Sequence, residues 1–508
     1  MRPTLRQVCA NLFVLTLVVA ATAAANAQIL RASFTPLANF AYQLDCVAGV
    51  ARFCAGAADY RALWKQSFGI DTTASPEVQR WAQLRRDFGA QMQSSSRDDS
   101  PIPGSNLDVN KRILIAAFAA KDLADYQSRL ALLLPDTLST EADAVTSVLY
   151  PPFLAWWQAN GYTDGRATAD SLIESIGTPA IQAHVRDVVK IFGSPAAAQT
   201  RATVHLMYRP GLTDTRGTSG ENLGRESIAE FLSSGDPSRA TPVILHEYAH
   251  FVFNCSDLAK ATRMRSDIIN AGGDAGSTAW ALFGEAIATA LGNGRVHRTL
   301  VTEQAFAEYV AKANSFYDVA DIDAAAKAIL PLVDSTVAAG GTVFDASFTN
   351  GYVRALKAKL GDQLDTPAAF MREFTLIVDS DLGSGPEGGS PWVKQFRSRG
   401  RSLYVTRCCD GQFAQAVQKN ARVGVTVIAV TPAHLAPLLA LLDLPAADQS
   451  ALIDAVKKPS TKAAVFVARD GIRPPLTVTV ASDAATFERA AKAAAAMPTL
   501  KAGLTTVE

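Results

Sequence analysis

Two histidines and a glutamate set the chemistry available to this chain: His246-Glu247-Tyr-Ala-His250 spaces its imidazoles four residues apart. On a helix, residues four apart stand one above the other, so both rings can reach one metal ion, with the Glu247 carboxylate beside them. Two neutral nitrogens and an adjacent carboxylate are what zinc-assisted hydrolysis requires. Val243, Ile244, Leu245, Phe251 and Val252 flank the motif and predict a largely buried helix with Pro242 in its first turn. With six histidines in 508 residues, chance occurrence of the pattern is on the order of one chain in several hundred. The bland alternative is a buried helix with two hydrogen-bonded histidines.

A catalytic zinc takes three protein ligands and leaves a fourth position for water. The metzincin pattern, with Gly three residues after the second His and His or Asp three beyond that, fails here because Phe253 and Ser256 occupy those places and Asp257 is one residue out. Glu285 is the candidate third ligand. It lies in Trp280-Ala-Leu-Phe-Gly-Glu-Ala-Ile-Ala, an apolar helical stretch where a carboxylate is costly to bury unless it is paired or binds metal. Asp267 and Glu303, in more polar surroundings, are weaker substitutes.

The elements that must position these groups follow from periodicity. Residues 30 to about 200 read as helices, including 58–68, 76–93, 111–134, 139–160 with a break at Pro151-Pro152, and 167–192. The period then changes to that of strands at 202–208 and 226–232, joined by a Gly/Thr/Ser-rich connection, with the second strand expected as an open edge for an extended peptide. Helices resume through about 360, Ser384–Pro391 is a loop, and 412–508 alternates strands and helices in β-α-β-β-α order. The expectation is a helix-rich α+β protein: a leader over 1–27, a helical region over 28–198, a catalytic domain over 199–400 and a small α/β accessory domain over 412–508.

Lys+Arg and Asp+Glu both number 48, so no global cationic charge speaks for nucleic acid. Arg2 and Arg6 precede the apolar run Leu12–Ala21, and Ala25-Asn26-Ala27 supplies a cleavable small-x-small pattern, predicting an exported product, periplasmic or secreted. No later stretch is long and apolar enough to predict a membrane span. In an oxidising compartment Cys46 and Cys54 are close enough in sequence to pair, while Cys408 or Cys409 would reach Cys255 or another chain.

Over roughly residues 200–360 the chain resembles a zinc metallopeptidase of the gluzincin group, the thermolysin- and aminopeptidase-like class, at His246–His250 and at Phe283-Gly-Glu285-Ala-Ile-Ala288. The resemblance implies a zincin-like domain in which one Zn2+ is held by His246, His250 and Glu285, with Glu247 as general base and peptide or protein as substrate. It departs from the thermolysin branch at Thr289, where that branch has an acidic residue, and from the aminopeptidase branch at Phe348, where that branch has an oxyanion-stabilising Tyr. Tyr352, His297 and Tyr309 are the candidates for that missing donor. Two other classes fit the same residues: an inactive zincin-fold binding or scaffold protein, and a zinc hydrolase acting on a non-peptide or cell-wall amide.

Overall fold

The structure is a computed structural model. It describes residues 29–361 apart from 51–53, 55–56, 94–108, 195–196, 198, 210–219 and 233–236; beyond these it describes 364, 373–379, 402–408, 425–440, 444–458, 463–468, 476–483, 485–486, 489 and 503–507. The predicted leader, the Ser384–Pro391 loop and most of the expected C-terminal helix fall outside the described residues. The chain is helix-rich α+β, with one four-stranded and one six-stranded sheet among the described residues. Among the described residues no helix is long and apolar enough to cross a membrane. Contacts divide the chain into two units: residues up to Leu258 with Leu291–Phe306 and Gly340–Thr342, and Ala259–Ala290 with Ala307–Ala339 and Val343–Glu508.

In the first unit a strand precedes the expected helices: β1 (Leu30–Ser33) runs parallel to β2 (Ala202–Arg209). Thr35 then caps α1 (Pro36–Val47), its side chain accepting the Ala38 N–H while Pro36 takes the first helical position. β1 covers β2 only as far as His205. Beyond it, the side-chain amide of Asn39 donates to the Leu206 carbonyl at 3.0 Å and accepts the Tyr208 N–H at 2.7 Å, standing in for the strand that has ended. β4 (Glu226–Leu232) pairs with β2 on one side and with β3 (Gly220–Leu223) on the other, giving the order β1-β2-β4-β3. The expectation of 226–232 as the open edge is therefore corrected. The connecting segment contains β3, which turns back on β4 through Gly224 at φ 83° and takes the edge itself.

Side chains alternate across this sheet, so its two faces differ sharply. One face meets α2 (Val109–Ala119) and the Ala57–Phe68 helix and is unusually polar: Lys111 pairs with Glu221 at 3.0 Å, Phe118 stacks on His205, His205 meets Glu226 at 2.7 Å, and Tyr60 donates to the fully buried Glu230 at 3.1 Å. The other face lies under α3 (Tyr162–Gly177) and, after α4 (Pro179–Ile191), the metal-motif helix α5 (Pro237–Asn254).

Helix Asp136–Trp156 runs through Pro151 and Pro152 without the expected break, and a π-helical turn, Trp157–Gly161, follows it. Trp157 is buried against Phe34 and Phe153, and Trp156 packs on Phe68, which makes the tryptophan pair part of the core. Cys46 and Cys54 form a disulfide. Cys255 is a free, half-buried thiol, so the expected bond from it to Cys408 or Cys409 is not made.

In the second unit α6 (Gly276–Thr289), α7 (Ala320–Ala338) and α8 (Ala346–Leu360) pack on one another. Its sheet has the order β10-β8-β9-β7-β5-β6, with β5 (Glu373–Asp379), β6 (Ser402–Cys408), β7 (Val425–Val430) and β9 (Leu476–Ala481) parallel. β8 (Ala463–Ala468) and β10 (Gly503–Val507) are antiparallel. Helices Pro432–Leu439 and Ala446–Lys457 connect β7 to β8. The sheet thus draws two strands from ahead of residue 412.

Asn39→Ala should leave a buried carbonyl and a buried N–H without their partner and cost about 1–3 kcal/mol. Urea unfolding of the purified protein reads this as a lower midpoint; a change below about 0.5 kcal/mol would show that the β2 ladder does not depend on the amide.

Candidate metal centre

Helix α5 begins at Pro237, which takes the first helical position, and not at Pro242 as expected; Pro242 lies inside the helix. Ile244, Leu245, Tyr248, Ala249, Phe251, Val252 and Phe253 are all buried, so the helix is covered nearly all round. At about 1.5–3 kcal/mol for each large apolar side chain, that burial holds the motif in place far more firmly than helix propensity does. Neighbours must come very close to cover such a helix, and at two places they do so through glycine. A Cβ on Gly292 would stand 2.6 Å from the Pro242 carbonyl oxygen and the His246 nitrogen. A Cβ on Gly220, at the start of β3, would stand 2.6 Å from Cγ of Glu247 and 2.8 Å from its Oε1. Asn222 of the same strand donates its amide to the Glu247 carbonyl at 3.2 Å.

Gly292 belongs to Ala290–Val296, a π-helical turn that continues α6. Such turns are rare and cluster at functional sites, because the wider coil redirects backbone and side chains within a helix. His184 of α4 hydrogen-bonds the Leu291 backbone, and burial pushes the pKa of its ring down to about 3.

His246, His250 and Glu285 each offer one ligand atom, and these three atoms lie within 4.8 Å of one another. His246 and Glu285 are each 3% exposed, and His250 is half-buried. The two Nε2 atoms are 3.1 Å apart. A tetrahedral ion about 2.0–2.1 Å from both would set them roughly 3.3 Å apart, so the rings already stand within a few tenths of an ångström of that arrangement. The same distance suits a hydrogen bond between the rings. What the bland reading does not supply is a reason for a buried carboxylate to join them. The donor set of two imidazoles and one carboxylate fits Zn2+ with a position left for water.

Glu247 is 4% exposed and lies on α5 against Gly220 of the edge strand. Asp267 and Glu303 are exposed, which sets them aside as ligands. Tyr352 is fully buried and donates to the Ala279 carbonyl at 2.8 Å, while its ring meets Phe283 edge-on: it supports α6 and is not available as an oxyanion donor. Tyr309 stacks on Phe316, and His297 lies against Phe306. The residue that does reach the ligand set is Tyr317, whose hydroxyl donates to Glu285 Oε2 at 3.0 Å. It stands in a short polar loop with no periodicity to mark it. A second group with metal-ligand chemistry, Cys46, Cys54 and Glu230, is explained by the disulfide, which leaves neither sulfur as a thiolate.

No family model, curated protein or solved structure matches the chain.

Gly292→Ala should force two backbones apart at His246. A loss of about 1–3 kcal/mol is expected, with weaker metal binding, read by urea unfolding and by zinc titration against a chelator. His184 generates a pH dependence of stability. Its folded pKa lies below its unfolded value of about 6.5, so the unfolded chain takes up a proton as pH falls from there toward 3, and stability drops across that window. His184→Asn, which keeps a donor for the Leu291 carbonyl, should flatten the difference between unfolding midpoints at pH 7 and pH 4.5 in metal-free protein.

Proposed function

We infer that the chain is a zinc-dependent metallopeptidase of gluzincin type, with a zincin-like centre in which His246, His250 and Glu285 hold one Zn2+ and Glu247 is the general base. The observation that carries this reading is the convergence of the three ligand atoms within 4.8 Å, with the buried Glu247 adjacent in sequence to His246. Zinc held there would lower the pKa of a water toward about 7 and polarise a scissile carbonyl. Glu247 would take a proton from the attacking water on a carboxylate oxygen and return it to the nitrogen of the leaving amine.

β3 supplies the orientation. An extended peptide paired with this edge strand would align its backbone past Glu247, because Gly220 brings the strand against that carboxylate without an intervening side chain. The leader pattern and the Cys46–Cys54 disulfide both suit an exported enzyme.

The purified mature chain should carry about one zinc, and a peptide library should be cleaved in a chelator-sensitive way. Glu247→Gln should keep the metal and lose about 10²–10⁴-fold in kcat, whereas Glu285→Ala should lose metal affinity first. A protein that takes up no zinc on supplementation, or cleaves equally well in chelator, is not this enzyme.

A further inference from the structure

Tyr317 was invisible in the sequence pattern, yet its surroundings hold it more firmly than a chance contact requires. Buried tyrosine hydroxyls generally find an acceptor, so a hydrogen bond alone says little. Here the acceptor is the carboxylate of the candidate third ligand, at 3.0 Å, and both partners are at most 9% exposed. The loop that delivers the hydroxyl is itself tied down by one buried group. Asp323, in the first turn of α7, accepts the Phe316 N–H on Oδ1 at 2.8 Å and the Asn314 N–H on Oδ2 at 3.2 Å. Lys327, one turn on, meets Asp323 Oδ2 at 2.8 Å and also donates to the Lys312 carbonyl. Phe316, next to Tyr317, is sandwiched by contacts with the Tyr309 ring and the Lys327 ammonium. Asn314 adopts a left-handed conformation at φ 55°, the only non-glycine residue with positive φ among those described. Asparagine tolerates that region better than most residues, and the two N–H bonds to Asp323 offset the strain.

We propose that Tyr317 is the positioning residue for Glu285, holding one carboxylate oxygen so that the other is presented to the ion bound by His246 and His250, and that Asp323 sets Tyr317 by anchoring its loop. The proposal rests on the zinc reading above. A carboxylate on a free side chain can rotate and swing between one- and two-oxygen binding; a hydroxyl fixed on one oxygen removes that freedom before the metal arrives. Tyr317 thereby acts through Glu285 and not on the reacting atoms. Removing its hydroxyl should be felt in the affinity and ligand field of the metal.

The test is metal binding by the full mature chain. Tyr317→Phe keeps the ring and its burial. It should weaken Zn2+ about 10–100-fold in a chelator competition and shift the visible absorption bands of the Co2+-substituted protein, while a cooperative urea transition of the metal-free variant shows that the fold is kept. Asp323→Asn, which gives up the charge facing Lys327 and one acceptor for the loop, should move Zn2+ affinity in the same direction by a smaller factor. If Tyr317→Phe binds Zn2+ within twofold of the wild type with an unchanged Co2+ spectrum, while Glu285→Ala loses affinity, the zinc reading stands and the positioning role is overturned. If His246→Ala and Glu285→Ala both bind Zn2+ as the wild type does, the zinc reading fails and the role of Tyr317 falls with it.

Discussion

Glu285 is 3% exposed on an apolar helix, and taking an ionised carboxylate out of water costs several kcal/mol even after the surroundings relax. A hydrogen bond from a neutral hydroxyl to a charged group returns about 1.5–3 kcal/mol of that, which is what Tyr317 can offer. If the site holds the proposed cation, sharing it with two imidazoles would offset more of that cost, since the three ligand atoms already lie within 4.8 Å of one another. The π turn after α6 and the anchored loop before α7 both make sense as supports for one expensive side chain.

The four-stranded sheet separates two kinds of burial by the two-residue period of its strands. Toward α5 it shows Gly220 and Asn222, one making room for the Glu247 carboxylate and the other bonding the Glu247 backbone. Toward α2 it shows Glu221, His205 and Glu230, which meet Lys111, Phe118 and Tyr60 of the N-terminal helices. A one-residue slip of β3 on β4 would exchange these sets, putting the Glu221 carboxylate against Glu247. Two buried carboxylates that close would repel each other, so the register of a four-residue strand bears on the surroundings of Glu247. The N-terminal helices enter this account through the sheet's opposite face, where Lys111 reaches both the Glu221 carboxylate and the Asn222 carbonyl and secures the edge strand.

Features with a local signature were legible in the sequence. The four-residue spacing of His246 and His250, the apolar setting of Glu285 and the nearness of Cys46 to Cys54 all carry their physics within a few residues. What escaped is set by distant contacts. β1 is four residues long and exists because β2 pairs with it, and β3, Gly-Glu-Asn-Leu, has too little apolar content to read as a strand. Pro151 and Pro152 should stop a helix on local grounds, and the tertiary packing of Phe153 and Trp157 carries it through. Tyr317 is the plainest case: its hydroxyl meets Glu285 and its loop is held by Asp323, and neither relation has a period to detect. The helix-rich α+β class and the residues that gather at His246, His250 and Glu285 were thus readable, while the edge strand and the Tyr317 contact were not.

The two glycines beside α5 bear on how far the motif is organised before substrate arrives. A helix covered nearly all round leaves little room for its side chains to relax, so their direction depends on whatever crosses the helix. At His246 the crossing element is backbone, the π turn at Gly292, and backbone cannot move aside as a side-chain tip can. At Glu247 the crossing element is the first residue of the edge strand, and it closes one side of the carboxylate. The first contact fixes the backbone from which the His246 side chain starts, and the second restricts where the Glu247 carboxylate can turn. Both act on α5 itself, so any motion of the edge strand would reach Glu247 first and His246 and His250 only through the helix.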